Sequence, residues 1–223
     1  MRENPFIGAT APVGILPEDG GAYYDYMLQK GLDLAAHGDW QEHYARMLDR
    51  TVGLAGRRVL DLGAAMGALT VAMLDLGADV WGIELNRHLV ERTPFTRVRQ
   101  RLILGDLPTV LPILRDSHFD VIHASQTLEH IDPVHQPAIF RECHRLLKAG
   151  GLLFAAMPMR EPPEEGTADH EDPSHLCVRP KGWWEQFLAV GFRLVGDAAI
   201  ARFEREPMMQ EYRWDYLLWE CQG

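Results

Sequence analysis

The chain is poor in cysteine, in positive charge and in long apolar runs, and each shortage excludes something. Its three cysteines, Cys143, Cys177 and Cys221, are odd in number and no two stand at metal-ligand spacing. That leaves no disulfide framework and no cysteine-based zinc site to read, and a reduced, cytoplasmic compartment is expected. Against 32 Asp and Glu there are only 22 Lys and Arg, a formal net charge of −10. Nucleic-acid binding runs through clustered cations on phosphates, so this balance argues against a DNA or RNA partner. The local exception, Arg92, Arg97, Arg99 and Arg101, reads as a solvated helix end and loop. No run of about 18 apolar residues exists, so no membrane-spanning helix is expected. The opening "MRENPFIGATAP" has no apolar h-region, so no secretory signal is read there. What the chain does have is apolar content: 47% of 223 residues, enough for a sizeable core in one domain.

The pattern along the chain alternates strand and helix. Residues 1–50 read as an N-terminal helical lid, and 51–223 as the main domain. In "GDWQEHYARML", Asp39 and Glu42 are spaced as a capping box and place a helix start. "RRVLDL", "DVWGIE", "RLILGD", "FDVIHAS" and "LLFAAMP" read as five strands, separated by helices in "GALTVAMLDLG", "NRHLVERT", "LPTVLPIL" and "PVHQPAIFRECHRLLKAGG". "RPKGWWEQFLAVGF" is another helix. "FRLVGDAAIARFE" and "EYRWDYLLWECQ" alternate as strands across a short link, which implies antiparallel pairing. The expected fold is α/β: a Rossmann-like doubly wound sheet, mostly parallel, with helices on both faces.

The most informative stretch runs from Arg58 to Glu84. The turn Gly63-Ala64-Ala65-Met66-Gly67 stands at the end of the first strand, where ligands bind in open parallel sheets. A dinucleotide fingerprint needs glycine at the first, third and sixth positions; counted from Gly63 these hold Gly63, Ala65 and Ala68. Asp61 just before the turn is also awkward beside phosphates. A cofactor with an ammonium and a carboxylate fits better: the ammonium meets Asp61 through water, and the carboxylate meets the helix start, with its partial positive charge. Glu84 ends the second strand, where a carboxylate accepts from both ribose hydroxyls.

Taken in order, these motifs resemble those of the class I S-adenosylmethionine-dependent methyltransferases. "VLDLGAAMG" is similar to the family's first motif, "LGDLPTVL" to its adenine segment, "FDVIHASQTLEHI" to its fourth strand and "LLKAGGLLFAAMP" to its fifth. The resemblance covers roughly residues 55–195. It implies S-adenosyl-L-methionine as cofactor and a seven-stranded sheet whose last strand is antiparallel. It implies that Asp106 receives the adenine amino group, that Leu107 packs near the ring, and that Ser125 and Gln126 lie beside the sulfonium. Leu85 either packs on the adenine face or enters the core. Ala65 departs from the commonest form of the motif, which has glycine there.

Three histidines compete for the acceptor side: His130 in "LEHI", and His170 and His175 in "HEDPSH". Each reads either as a structural loop histidine or as a general base for an oxygen acceptor. A metal reading joins His170 and His175 to Glu171 or Asp172, but this spacing is no recognisable zinc pattern and no metal is called for. His123, inside an apolar strand, reads as a satisfied buried histidine. One of Trp183 and Trp184 is expected in the core, the other along an acceptor pocket. The expected partner is a small-molecule acceptor, a sugar or phenolic intermediate. An RNA or protein methyltransferase, a nicotinamide-dependent oxidoreductase and a noncatalytic cofactor-binding module are the alternatives. Oligomeric state is not legible.

Overall fold

The structure, a computed structural model, describes residues 38–160, 174–195, 197–207 and 214–223. Its elements in chain order are α1 (Asp39–Val52), β1 (Arg58–Leu62), α2 (Ala68–Asp75), β2 (Asp79–Glu84), α3 (Arg87–Arg92), β3 (Leu102–Leu104), α4 (Leu107–Val110), β4 (Phe119–Ser125), α5 (Gln136–Leu146), β5 (Leu147–Met157), α6 (Lys181–Trp184), β6 (Phe192–Leu194), α7 (Asp197–Glu204) and β7 (Asp215–Cys221). Three short 3-10 turns, Leu111–Ile113, Leu128–His130 and Glu185–Val190, complete the connections.

The seven strands form one sheet in the order β3-β2-β1-β4-β5-β7-β6. Strands β1 to β5 pair in parallel, and β7 runs antiparallel between β5 and β6. The inner strands are apolar almost throughout because helices cover both faces, which is how a parallel sheet hides its two sides. Under one face, Phe140 of α5 stacks on Phe187 with ring centroids 4.0 Å apart, against Trp184 and Trp219. Under the other, Tyr44 and Leu48 of α1 meet Phe154 and Phe203.

Several expectations shift in detail. The cap of α1 is Gly38, whose N–H donates to Gln41 Oε1 at 3.2 Å; Asp39 is already inside the helix. Residues 1–37 of the expected lid lie outside the described residues, and the helix that follows them packs into the core. "DAAIARFE" is not strand. It forms α7, which turns Ile200 and Phe203 toward the core at helical spacing. The pairing of β6 with β7 is antiparallel as expected, but the two are joined by a helix and not by a short link. The "RPKGWW" helix is a single turn, Lys181–Trp184, continued by the 3-10 turn Glu185–Val190.

Candidate functional site

The strand order reverses between β1 and β4, the place where a crevice opens beyond the carboxyl ends of the strands, and Gly63, Glu84 and Ser125 stand at those ends of β1, β2 and β4 in turn. The turn after β1 is tied to β2: the N–H groups of Gly63 and Ala64 both donate to Ile83 O, at 2.9 and 3.0 Å. Gly67 closes it by donating to Ala64 O at 2.8 Å. Gly63 and Gly67 have φ of +72° and +87°, where side chains are strained. Protein also fills the space a Cβ would need. At Gly63 it would lie 2.2 Å from Thr127 Oγ1, and at Gly67 2.7 Å from Val98 Cγ2. These two glycines therefore serve packing as well as turning.

Ala65 has a Cβ and still adopts φ +48°. Its N–H donates to Glu84 Oε2 at 2.8 Å, while Glu84 Oε1 accepts from Asn86 N–H at 2.7 Å. The Glu84 carboxylate is thus clamped between two backbone amides at the rim of the crevice, 8% exposed. Burial pushes its pKa up, and the amides of Asn86, Ala65 and Leu85 pull part of the way back. A carboxylate has about four acceptor sites, so acceptor capacity is left for a hydroxyl. Leu85 beside it is 44% exposed, an apolar surface on the rim. Asp106 caps α4, accepting from Thr109 N–H at 3.1 Å. Leu107 is in the core beneath.

Both Asp61 oxygens have partners inside the fold. The residue is the register partner of His123 across the β1–β4 pair. Its Oδ1 accepts from His123 Nδ1 at 2.8 Å and its Oδ2 from the Thr70 hydroxyl at 2.9 Å. The Tyr44 hydroxyl lies 3.1 Å from His123 Nε2. Burial pushes the Tyr44 phenol well above its ordinary range, and with Nδ1 donating to Asp61 the Nε2 of a neutral His123 accepts from the hydroxyl. Tyr44, His123, Asp61 and Thr70 form one buried chain under the turn, with Asp61 2% exposed. His123 is the satisfied buried histidine expected. Tyr44 and Thr70 were not anticipated as its network, because the register that joins them is not written in any local motif.

At the end of β4, Gln126 takes φ +51° and donates its N–H to Ala156 O at 2.8 Å. Thr127 Oγ1 reaches Leu62 O at 2.9 Å and Ser125 O at 3.0 Å, strapping β1 to β4. Left-handed Ala65 and Gln126 both stand on this edge, the place where backbone strain tends to mark function. Beyond it, the rings of His130 and His175 meet with centroids 4.9 Å apart. His170 lies outside the described residues. Trp184 is fully buried and Trp183 half-buried, each in contact with the core. Of the four arginines that form the local basic stretch, Arg97 pairs with Asp75 and Arg101 with Asp79. Among the described residues no helix is long and apolar enough to cross a membrane.

Comparison with known proteins places this geometry in a group. The sequence model of a family described as "Methyltransferase domain" matches residues 34–196. The ubiquinone biosynthesis O-methyltransferase of Pseudomonas aeruginosa (strain UCBPP-PA14) is 34% identical over 124 residues, 52% of this chain and 50% of that protein. The chain thus spans about half the length of the curated relatives it matches. Among solved structures, a SAM-dependent methyltransferase from Archaeoglobus fulgidus superposes with a TM-score of 0.64 at 17% identity, covering 90% of this chain and 99% of the other. The [4+2]-cyclase SpnF superposes with a TM-score of 0.61 at 19% identity, covering 94% and 99%. These likenesses establish the fold.

Proposed function

The chain belongs to the class I S-adenosylmethionine-dependent methyltransferases, and from that membership we propose that it methylates an oxygen of a small-molecule acceptor. The observation that carries the reading is Glu84, a buried carboxylate at the end of β2 held by backbone amides, with acceptor capacity left over. Such a group suits a ribose diol. Asp106 and the exposed Leu85 stand on the same rim, suited to the amino edge and the face of an adenine. S-adenosylmethionine supplies a sulfonium-activated methyl group.

The protein's share of the chemistry is positioning. Holding an acceptor in line and excluding water is worth about 7–11 kcal/mol in favourable cases. Asp61 supports this indirectly. With both oxygens engaged inside the fold, its part is to hold β1, β4 and α2 in register under the turn. An oxygen acceptor must lose a proton, and the His130–His175 pair is the candidate group for assisting that loss. The choice of oxygen is supported by the relative named an O-methyltransferase. The net charge of −10 and the internal pairing of Arg97 and Arg101 speak against an RNA acceptor.

The test is calorimetric titration with S-adenosylhomocysteine and with NAD, using Glu84→Ala as the control. After it comes a search by mass spectrometry for methylated products in a panel of phenols and sugars. Binding of S-adenosylhomocysteine alone, lost in the variant, and a methylated phenol or sugar are expected. Binding of NAD alone would sink the reading. Cofactor binding without methylation of any acceptor would favour a noncatalytic module of the same fold.

A further inference from the structure

Three side chains from two distant segments of the chain converge beyond the end of β4. Glu129, His130 and His175 each bring one ligand-type atom, and these atoms all lie within 4.8 Å of one another. We propose that they form a two-histidine, one-carboxylate site for a divalent cation of the zinc type. The proposal rests on this geometry and not on methyl transfer, and with the cation bound the two histidines are its ligands and not free bases.

The ligand set has the chemistry. Two imidazoles and a carboxylate suit zinc and its first-row neighbours, whereas magnesium and calcium prefer all-oxygen shells. Ligand bonds of about 2.0–2.1 Å put tetrahedral donors roughly 3.3 Å apart, so the cluster need close by about 1.5 Å at most. Three protein ligands leave a fourth position open to a water or an oxygen-bearing molecule. Both histidines are half-buried, which leaves an entry path.

The supporting shell is built as well. Ser174 Oγ lies 2.9 Å from His130 Nδ1, so that nitrogen is occupied and Nε2 is presented as the ligand atom. The N–H groups of Leu176 and Cys177 both donate to Glu129 O, at 2.8 Å each. These bonds clamp the segment carrying His175 onto the one carrying Glu129 and His130. No spacing in the sequence could reveal the set, because its members come from two loops that meet only in the fold. The expectation of no metal followed from the spacing of His170 and His175 alone.

Cobalt(II) is the probe, since it takes zinc sites and reports low-symmetry coordination by its visible ligand-field bands. The full chain, stripped with a chelator and dialysed, is titrated with cobalt and then with zinc. One equivalent of cobalt with strong visible bands, displaced by zinc, is expected. His175→Ala should abolish the bands. Ser174→Ala keeps all three ligands and should weaken cobalt binding about 10–100-fold. Glu129→Gln is a harder test of folding, so the half-buried His175 carries the decision. Thermal melts and S-adenosylhomocysteine titrations on the same samples show whether each variant is folded. Absence of the bands in the parent chain, or their persistence in His175→Ala, overturns the proposal. S-adenosylhomocysteine binding in a chain that takes no cobalt would reject the metal site and leave the family reading intact.

Discussion

At Ala65 the backbone is left-handed although the residue carries a Cβ. A non-glycine residue there costs about 1–3 kcal/mol, while glycine loses about 0.5–1 kcal/mol of backbone entropy. Ala65→Gly should therefore stabilise the fold by about 1 kcal/mol in urea unfolding. A clear destabilisation would mean that the Cβ makes contacts worth more than the strain. Glu84 makes a pH prediction of opposite sign for fold and ligand. Its carboxyl is raised above the ordinary 4.5 by burial, so the folded chain holds this proton more tightly than the unfolded one. Its contribution to stability is full below the unfolded pKa and lost as pH rises through the folded pKa. Cofactor binding needs the carboxylate, so affinity should fall on acidification, starting at a higher pH than an ordinary glutamate would set. Calorimetry of S-adenosylhomocysteine across acid pH checks this. A profile no different in Glu84→Gln would remove Glu84 as the cause.

At the level of elements, Gly67 opens α2 in the left-handed region while Val98 occupies the space of its missing Cβ. Gly67→Ala should cost about 1–3 kcal/mol for the backbone alone, with the clash in addition. A double-mutant cycle with Val98→Ala should recover only the clash. Full recovery would show that the positive φ carries no strain. The same elements show what a sequence can and cannot display. Strands β1, β2, β4 and the later part of β5 were legible because burial on both faces leaves short, mostly apolar runs; the start of β5, Leu147–Gly151, was read as the end of the preceding helix. Glu84 was legible because a strand–turn–helix–strand unit fixes where its second strand must end. By contrast, α7 was misread because "DAAIARFE" has too few apolar residues to separate a period of 2 from one of 3.6. The bond between Asp61 and His123 depends on β1 lying next to β4, a neighbour 62 residues away, and no local pattern encodes that.

Across the whole molecule, the buried Tyr44–His123–Asp61 chain links α1 to the sheet. Tyr44→Phe would leave His123 Nε2 buried without this donor, at a cost of about 1–3 kcal/mol. Tyr44 belongs to the core, however, and not to the rim where Glu84 and Leu85 stand. Stability and cofactor binding should therefore separate. Ligand at 100 times its Kd adds about 2.7 kcal/mol to the folded state. For a chain of this size that is a rise in Tm of roughly 5–11 °C. Tyr44→Phe should melt lower than the parent and yet show the same rise with S-adenosylhomocysteine. Glu84→Ala should lose the rise. If Tyr44→Phe lost it too, the buried chain would shape the cofactor turn from below, and Asp61 would belong to the site through its partners.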